Sequence, residues 1–318
     1  MKTGRPLRSL LAATALAGVT ACAAPSPIVP APTPAPRPVR PPAPEKPSLE
    51  SHSAKAFYER RQTDLLARGY MRRDGGGADA RVDATTLARN FERIALFSEY
   101  MQVDGRYVAR QNQAELRRWE RPVRLQIHFG KSVDPAIQAA DRTRIEQYVA
   151  RLSRISGHPI SVVGSRGNFH LFVGNTDEQR DLGPRISAAE PGLTRATVHE
   201  ITRLDRSIYC AVYASSSTDA PDSYVSAIAF VRAEHPDLFR LACYHEEIAQ
   251  GLGLPNDSPA VRPSIFNDDE EFALLTYHDE LLLRILYDER LRVGMTAEEA
   301  RPIVRQIARE LVGEPGPV

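Results

Sequence analysis

The chain has almost no net charge. Its 41 Lys and Arg face 40 Asp and Glu, leaving a formal +1, so the basic excess of a nucleic-acid partner is missing. It shows no internal repeat. The only serine flanked by glycines in the style of a hydrolase elbow, in Gly164-Ser-Arg-Gly167, lacks the GxSxG pattern and reads as a hairpin turn. Cysteine is scarce, with Cys22, Cys210 and Cys243 only. At 318 residues with 42% hydrophobic and 25% charged residues, the chain can still bury one large core.

What is present begins with an export signal. Lys2, Arg5 and Arg8 precede an apolar run from Leu10 to Val19, which ends in Val19-Thr20-Ala21-Cys22. The run is too short for a permanent membrane span and has the order of a secretory signal. The small residues before Cys22 resemble a bacterial lipobox, in which Cys22 is acylated and heads the mature chain. An ordinary signal peptide cut at Ala21 is the alternative. Ala23, rather than Asp, follows the cysteine, which points to the outer membrane of a Gram-negative cell, facing the periplasm. Eleven of the 25 prolines then fall between Pro25 and Pro47. Such a stretch cannot form a core; extended at about 3.1 Å per residue it reaches roughly 70 Å. The expected organisation is signal peptide 1–21, lipidated Cys22 and tether 22–47, a helical extension 48–118, and an α+β domain 119–318. In an oxidising compartment Cys210 and Cys243 are expected to form a disulfide, with two buried thiols as the alternative.

From Ser48 to about Arg118, apolar residues recur at three and four spacings, as in helices. Pro122–Phe129 alternates as a strand does. Asp134 and Pro135 open a helix that runs to Gly157. Strand-like runs follow at Pro159–Val163, Asn168–Val173, Ser207–Ala214 and Ser223–Ala233. A helix begins near Pro236 and ends at Gly251 or Gly253. Thr276 caps another, and Thr296 with Glu299 forms the capping box of a last one. This order indicates an α+β domain with a mixed sheet.

The stretch Cys243-Tyr-His-Glu-Glu-Ile-Ala-Gln-Gly-Leu-Gly-Leu-Pro-Asn-Asp257 carries the chemistry. On a helical wheel, His245 falls on the apolar stripe with Leu238, Leu241, Ile248 and Leu252, so it reads as a packed histidine. Starting one residue later, Glu246, Gln250 and Asn256 have the spacing of three metal ligands. Glu247 then stands where a general base would, and Gly253 where the chain turns back.

This register resembles the HExxHxxGxxH motif of the metzincin metallopeptidases, with none of its histidines. Further on, Pro263-Ser-Ile-Phe266 resembles the matrixin-type Met-turn, with Phe266 in place of methionine, and the helix after Thr276 resembles the C-terminal helix of that fold. The resemblance covers about Arg121 to Asp288 and implies a metzincin-like mixed sheet with a central active-site-type helix. The chain also resembles an uncharacterised domain-of-unknown-function family of exported bacterial proteins with an EExxQxLGLxND core, which implies no activity. One carboxylate and two carboxamides suit no zinc; a hard divalent cation or no metal fits better. The expectation is therefore no cofactor, membrane contact through the lipid anchor, no nucleic acid, and a peptide, protein or peptidoglycan ligand for a non-catalytic binding or assembly module. The alternatives are a non-standard hydrolase with Glu247 as base, metal-free acid–base cleavage involving Glu246, Glu247, Asp257, Asp268 and Asp269, and a plain spacer. His199-Glu200 shows no ligand spacing; the polar loop Ser215–Ser223 offers a substrate contact that nothing else supports, and His278-Asp279 open a helix whose first turn suits an acid.

Overall fold

The structure is a computed structural model that describes residues 46–77, 79–103, 106–267 and 269–313. The signal peptide, Cys22, nearly all of the tether and Asp268 lie outside the described residues.

Nine helices and seven strands are present among the described residues. In order they are α1 (Leu49–Ala67), α2 (Ala84–Ala95), β1 (Phe97–Val103), β2 (Arg106–Gln113), β3 (Val123–Phe129), α3 (Pro135–Ser156), β4 (Ile160–Val163) and β5 (Phe169–Gly174). Then come α4 (Thr176–Arg180), α5 (Gly183–Ala189), α6 (Arg195–Ile201), β6 (Cys210–Ser217), β7 (Ala220–Arg232), α7 (Asp237–Gln250), α8 (Tyr277–Leu286) and α9 (Ala297–Val312). The class is α+β, with a mixed five-stranded sheet in the order β4-β3-β5-β7-β6. The first four strands run parallel, and β6 is antiparallel to β7 at one edge.

The local chemistry explains most boundaries. Asp134 accepts from the Ala136 N–H, Pro135 takes the first turn, and Gly157 ends α3 at φ 68°. Capping boxes start α8 (Thr276, Asp279) and α9 (Thr296, Glu299).

Alternation of side chains divides the sheet into two faces. Phe169, Leu171, Val173, Ala227, Ala229 and Val231 face a large core shared with α3, α7 and α8. Phe172, Ile228 and Phe230 face a smaller one with α5 and α6. A third cluster lies where Leu65 of α1 and Met71 meet Phe239 and Ala242 of α7.

Two sequence expectations need correction. Residues 48–118 are not helical throughout: after α2 the chain forms the antiparallel hairpin β1–β2. The runs 97–103 and 106–113 hold strand-prone residues such as Tyr100, Val103, Tyr107 and Val108, and their pairing prevails over the helical spacing. Moreover, α2 is no appendage, since Leu87, Phe91 and Ile94 belong to the large core. The polar stretch 175–206 holds α4, α5 and α6, each too short for its periodicity to register.

Candidate functional site

Helix α7 crosses the large-core face beside the edge strand β6. It starts at Pro236, which offers no side-chain cap. Gln62 of α1 supplies one from a distance, accepting from the Phe239 N–H at 3.0 Å. Below this start, Arg240 is buried and donates to Asp141 of α3 at 2.6 Å, while the Tyr244 hydroxyl donates to the same carboxylate at 2.9 Å.

His245 is enclosed as its apolar stripe implies. It stacks on Tyr148 at 3.9 Å, and its Nδ1 accepts from the Leu275 N–H at 3.0 Å. Burial holds its pKa down to about 3, so the ring is neutral.

The residues in ligand register do not share one environment. Glu247 is 3% exposed, and its Oε2 has no hydrogen-bond partner. Burial, and then the Asp257 carboxylate, push its pKa well above the usual carboxylate range, which favours the protonated form. In that state it is a proton donor rather than a base. Gln250 is buried, and its Nε2 donates to Asp257 Oδ1 at 2.7 Å. Glu246 is half-buried. Asn256, 1% exposed, is turned toward α2: its Nδ2 donates to the Arg93 carbonyl at 2.7 Å, and its own N–H donates to the Ile94 carbonyl at 3.2 Å. Its Oδ1 is buried without a partner.

The chain turns after α7 at Gly253, where φ is +126° and a Cβ would lie 2.4 Å from the Arg117 carbonyl oxygen. No other residue fits there. Phe266 is fully buried. Its turn is held by Asp279 of α8, which accepts from Ser264 Oγ at 2.6 Å and from the Ile265 N–H at 3.1 Å.

Cys210 on β6 and Cys243 on α7 form a disulfide that ties the edge strand to the helix. Cys210 Sγ and one carboxylate oxygen each of Glu246 and Glu247 lie within 4.8 Å of one another. The pairing is the one expected of these two cysteines, but nothing in the sequence marked Glu246 and Glu247 as neighbours of the Cys210 sulfur, because that contact is made across the sheet edge. His235, whose Nδ1 is 3.6 Å from Cys243 Sγ, was equally unmarked.

The remaining sequence candidates stand apart from this group. Glu200 accepts from the Tyr213 hydroxyl at 3.0 Å. His278 is buried, with its Nε2 3.2 Å from Asn90 Nδ2. The loop Ser215–Ser223 forms the β6–β7 hairpin.

Residues 84–306 match the family described as Protein of unknown function (DUF2927). No curated protein and no solved structure matches the chain. The family match spans more than half of the 318 residues, and the chain belongs to this family.

Proposed function

We propose that this member of the DUF2927 family is a non-catalytic binding or envelope-assembly module, a pseudopeptidase built on a metzincin-like frame and carried as a periplasm-facing lipoprotein. The lipoprotein part draws on the N-terminal sequence, with Cys22 as the anchor and the proline tether as the spacer. Support for the frame comes from the layout: parallel strands closed by the antiparallel edge strand β6, α7 beside that edge, and an obligatory glycine where the chain turns back.

The observation that carries the reading is the use made of Asn256. The side chain at the third ligand position is tied to the end of α2, and Glu247 beside it is enclosed and favours its proton. A metal with an activated water needs three convergent donors and a free base; in this register Asn256 serves the fold instead, and Glu247 is not a free base.

The ligand that suits this frame is an extended peptide or peptidoglycan stem. It would lie along β6, which pairs only with β7 among the described strands, and gain main-chain hydrogen bonds by strand addition. The test is co-sedimentation of the full mature chain with peptidoglycan sacculi, alongside turnover assays on peptides and sacculi with added zinc, magnesium or calcium. Binding without turnover is expected. Turnover that disappears in Glu247→Gln would make the protein a hydrolase and remove the reading.

A further inference from the structure

We propose that the Cys210–Cys243 disulfide is the closed state of a redox-gated metal site, and that its reduction exposes a thiolate–carboxylate set, Cys210, Cys243, Glu246 and Glu247, for a zinc-class cation.

The geometry starts from helix spacing. Glu246 and Glu247 follow Cys243 by three and four residues, and Gln250 follows them by four and three, on the side of α7 nearest β6. Cys210 Sγ and the two glutamate oxygens already fall within 4.8 Å of one another. A tetrahedral ion with bonds of about 2.0–2.3 Å needs donors roughly 3.5 Å apart, and Cys243 Sγ, bonded to Cys210 Sγ, becomes the fourth donor only once the bridge opens. In the oxidised state neither sulfur is free to ligate.

A second observation points to a ligand at this place. Glu247 Oε2 is buried and makes no hydrogen bond. An orphaned buried oxygen is destabilising, and a cation bound here would satisfy it. Cys210 and Glu246 are half-buried, which leaves an approach from the edge of the sheet. The set differs from the metallopeptidase register, because Gln250 and Asn256 take no part. Two sulfurs and two carboxylates in a compact cluster suit zinc better than magnesium or calcium.

Opening the gate needs a dithiol reductant of the thioredoxin class. Its thiolate attacks Cys210 Sγ, the protein S–S bond breaks, and Cys243 leaves as a thiolate that takes a proton from water. The second thiol of the reductant then attacks its own sulfur in the mixed disulfide. This releases Cys210 as a thiolate and leaves the reductant as its disulfide. Two electrons have passed to the protein. His235 Nδ1, 3.6 Å from Cys243 Sγ, is placed to hydrogen-bond the freed sulfur. Metal entry then displaces any protons left on the ligating groups.

The experiment is a cobalt(II) titration of the full mature chain, oxidised and after reduction by a phosphine, with circular dichroism recorded on each sample. The reduced chain is expected to take up one equivalent, with sulfur-to-cobalt charge-transfer absorption and the visible bands of a tetrahedral site, while the oxidised chain shows neither. Glu247→Gln and Glu246→Gln are each expected to weaken binding by at least about tenfold. Cys243→Ser frees Cys210 without any reductant and is expected to bind cobalt directly. A folded reduced chain without sulfur–cobalt absorption overturns the proposal, as does absorption indifferent to both glutamate variants. If the reduced chain and Cys243→Ser both lose their fold, the proposal also fails, because it requires a folded open state.

Discussion

Gly253 shows how one residue can carry both a turn and a close approach. Gly253→Ala puts a Cβ against the Arg117 carbonyl at a φ that L-residues avoid, and a loss of about 2 kcal/mol or more is expected in urea unfolding. The pair His128 and His170 sets an acid limit. His128 Nε2 and His170 Nδ1 are 3.0 Å apart on adjacent strands. Desolvation, then the neighbouring His170 and Arg185, lowers His128 to about 4, and desolvation lowers His170 as well. Both histidines bind protons more readily unfolded, near 6.5, than folded. Stability from this pair is therefore present above about pH 6.5 and is lost as the pH falls toward 4. His128→Gln is expected to flatten that limb, read as a smaller slope of unfolding free energy against pH. The sequence marked Gly253 through its place in a motif, and His245 through the apolar stripe. Nothing in it marked the two sheet histidines as neighbours, because that contact depends on strand register.

At the scale of elements, α7 is held by partners distant in sequence. Asp141 of α3 is the buried partner of Arg240, which keeps the more exposed Asp237 at 3.0 Å as a second one, so Asp141→Ala is expected to cost about 3 kcal/mol in chemical denaturation, the low end for breaking a buried pair. Gln62→Ala removes the borrowed cap of the helix, and about 1 kcal/mol is the expected loss. The helices α3, α8 and α9 were legible because Asp134, Thr276 and Thr296 announce their starts in the local sequence. The hairpin β1–β2 was not, since its apolar spacing also fits a helix. The short helices α4 to α6 offered too few residues for any period to show.

Over the whole molecule, the α+β class and the strand–helix order could be read from alternation and capping, whereas the neighbours of each strand could not. The family match begins at residue 84 and leaves α1 outside it. Yet Tyr58 and Leu65 of that helix are fully buried, against His235, Phe239 and the third hydrophobic cluster. Deleting residues 46–67 is therefore expected to cost on the order of 4 kcal/mol from these two side chains and to increase the binding of an apolar fluorescent dye.

Ahead of the packing of Tyr58 and Leu65, three polar contacts are bunched at the beginning of α1. The Ser48 N–H donates to Asp177, Glu50 pairs with Arg180, and Ser51 donates to the buried Glu234, all within four residues. Tension arriving along the chain ahead of residue 48 thus meets three attachments abreast instead of one after another. The helix start works as a mooring: it resists a pull as a unit and releases in one step, which force spectroscopy would record as a single rip ahead of the unfolding of the sheet.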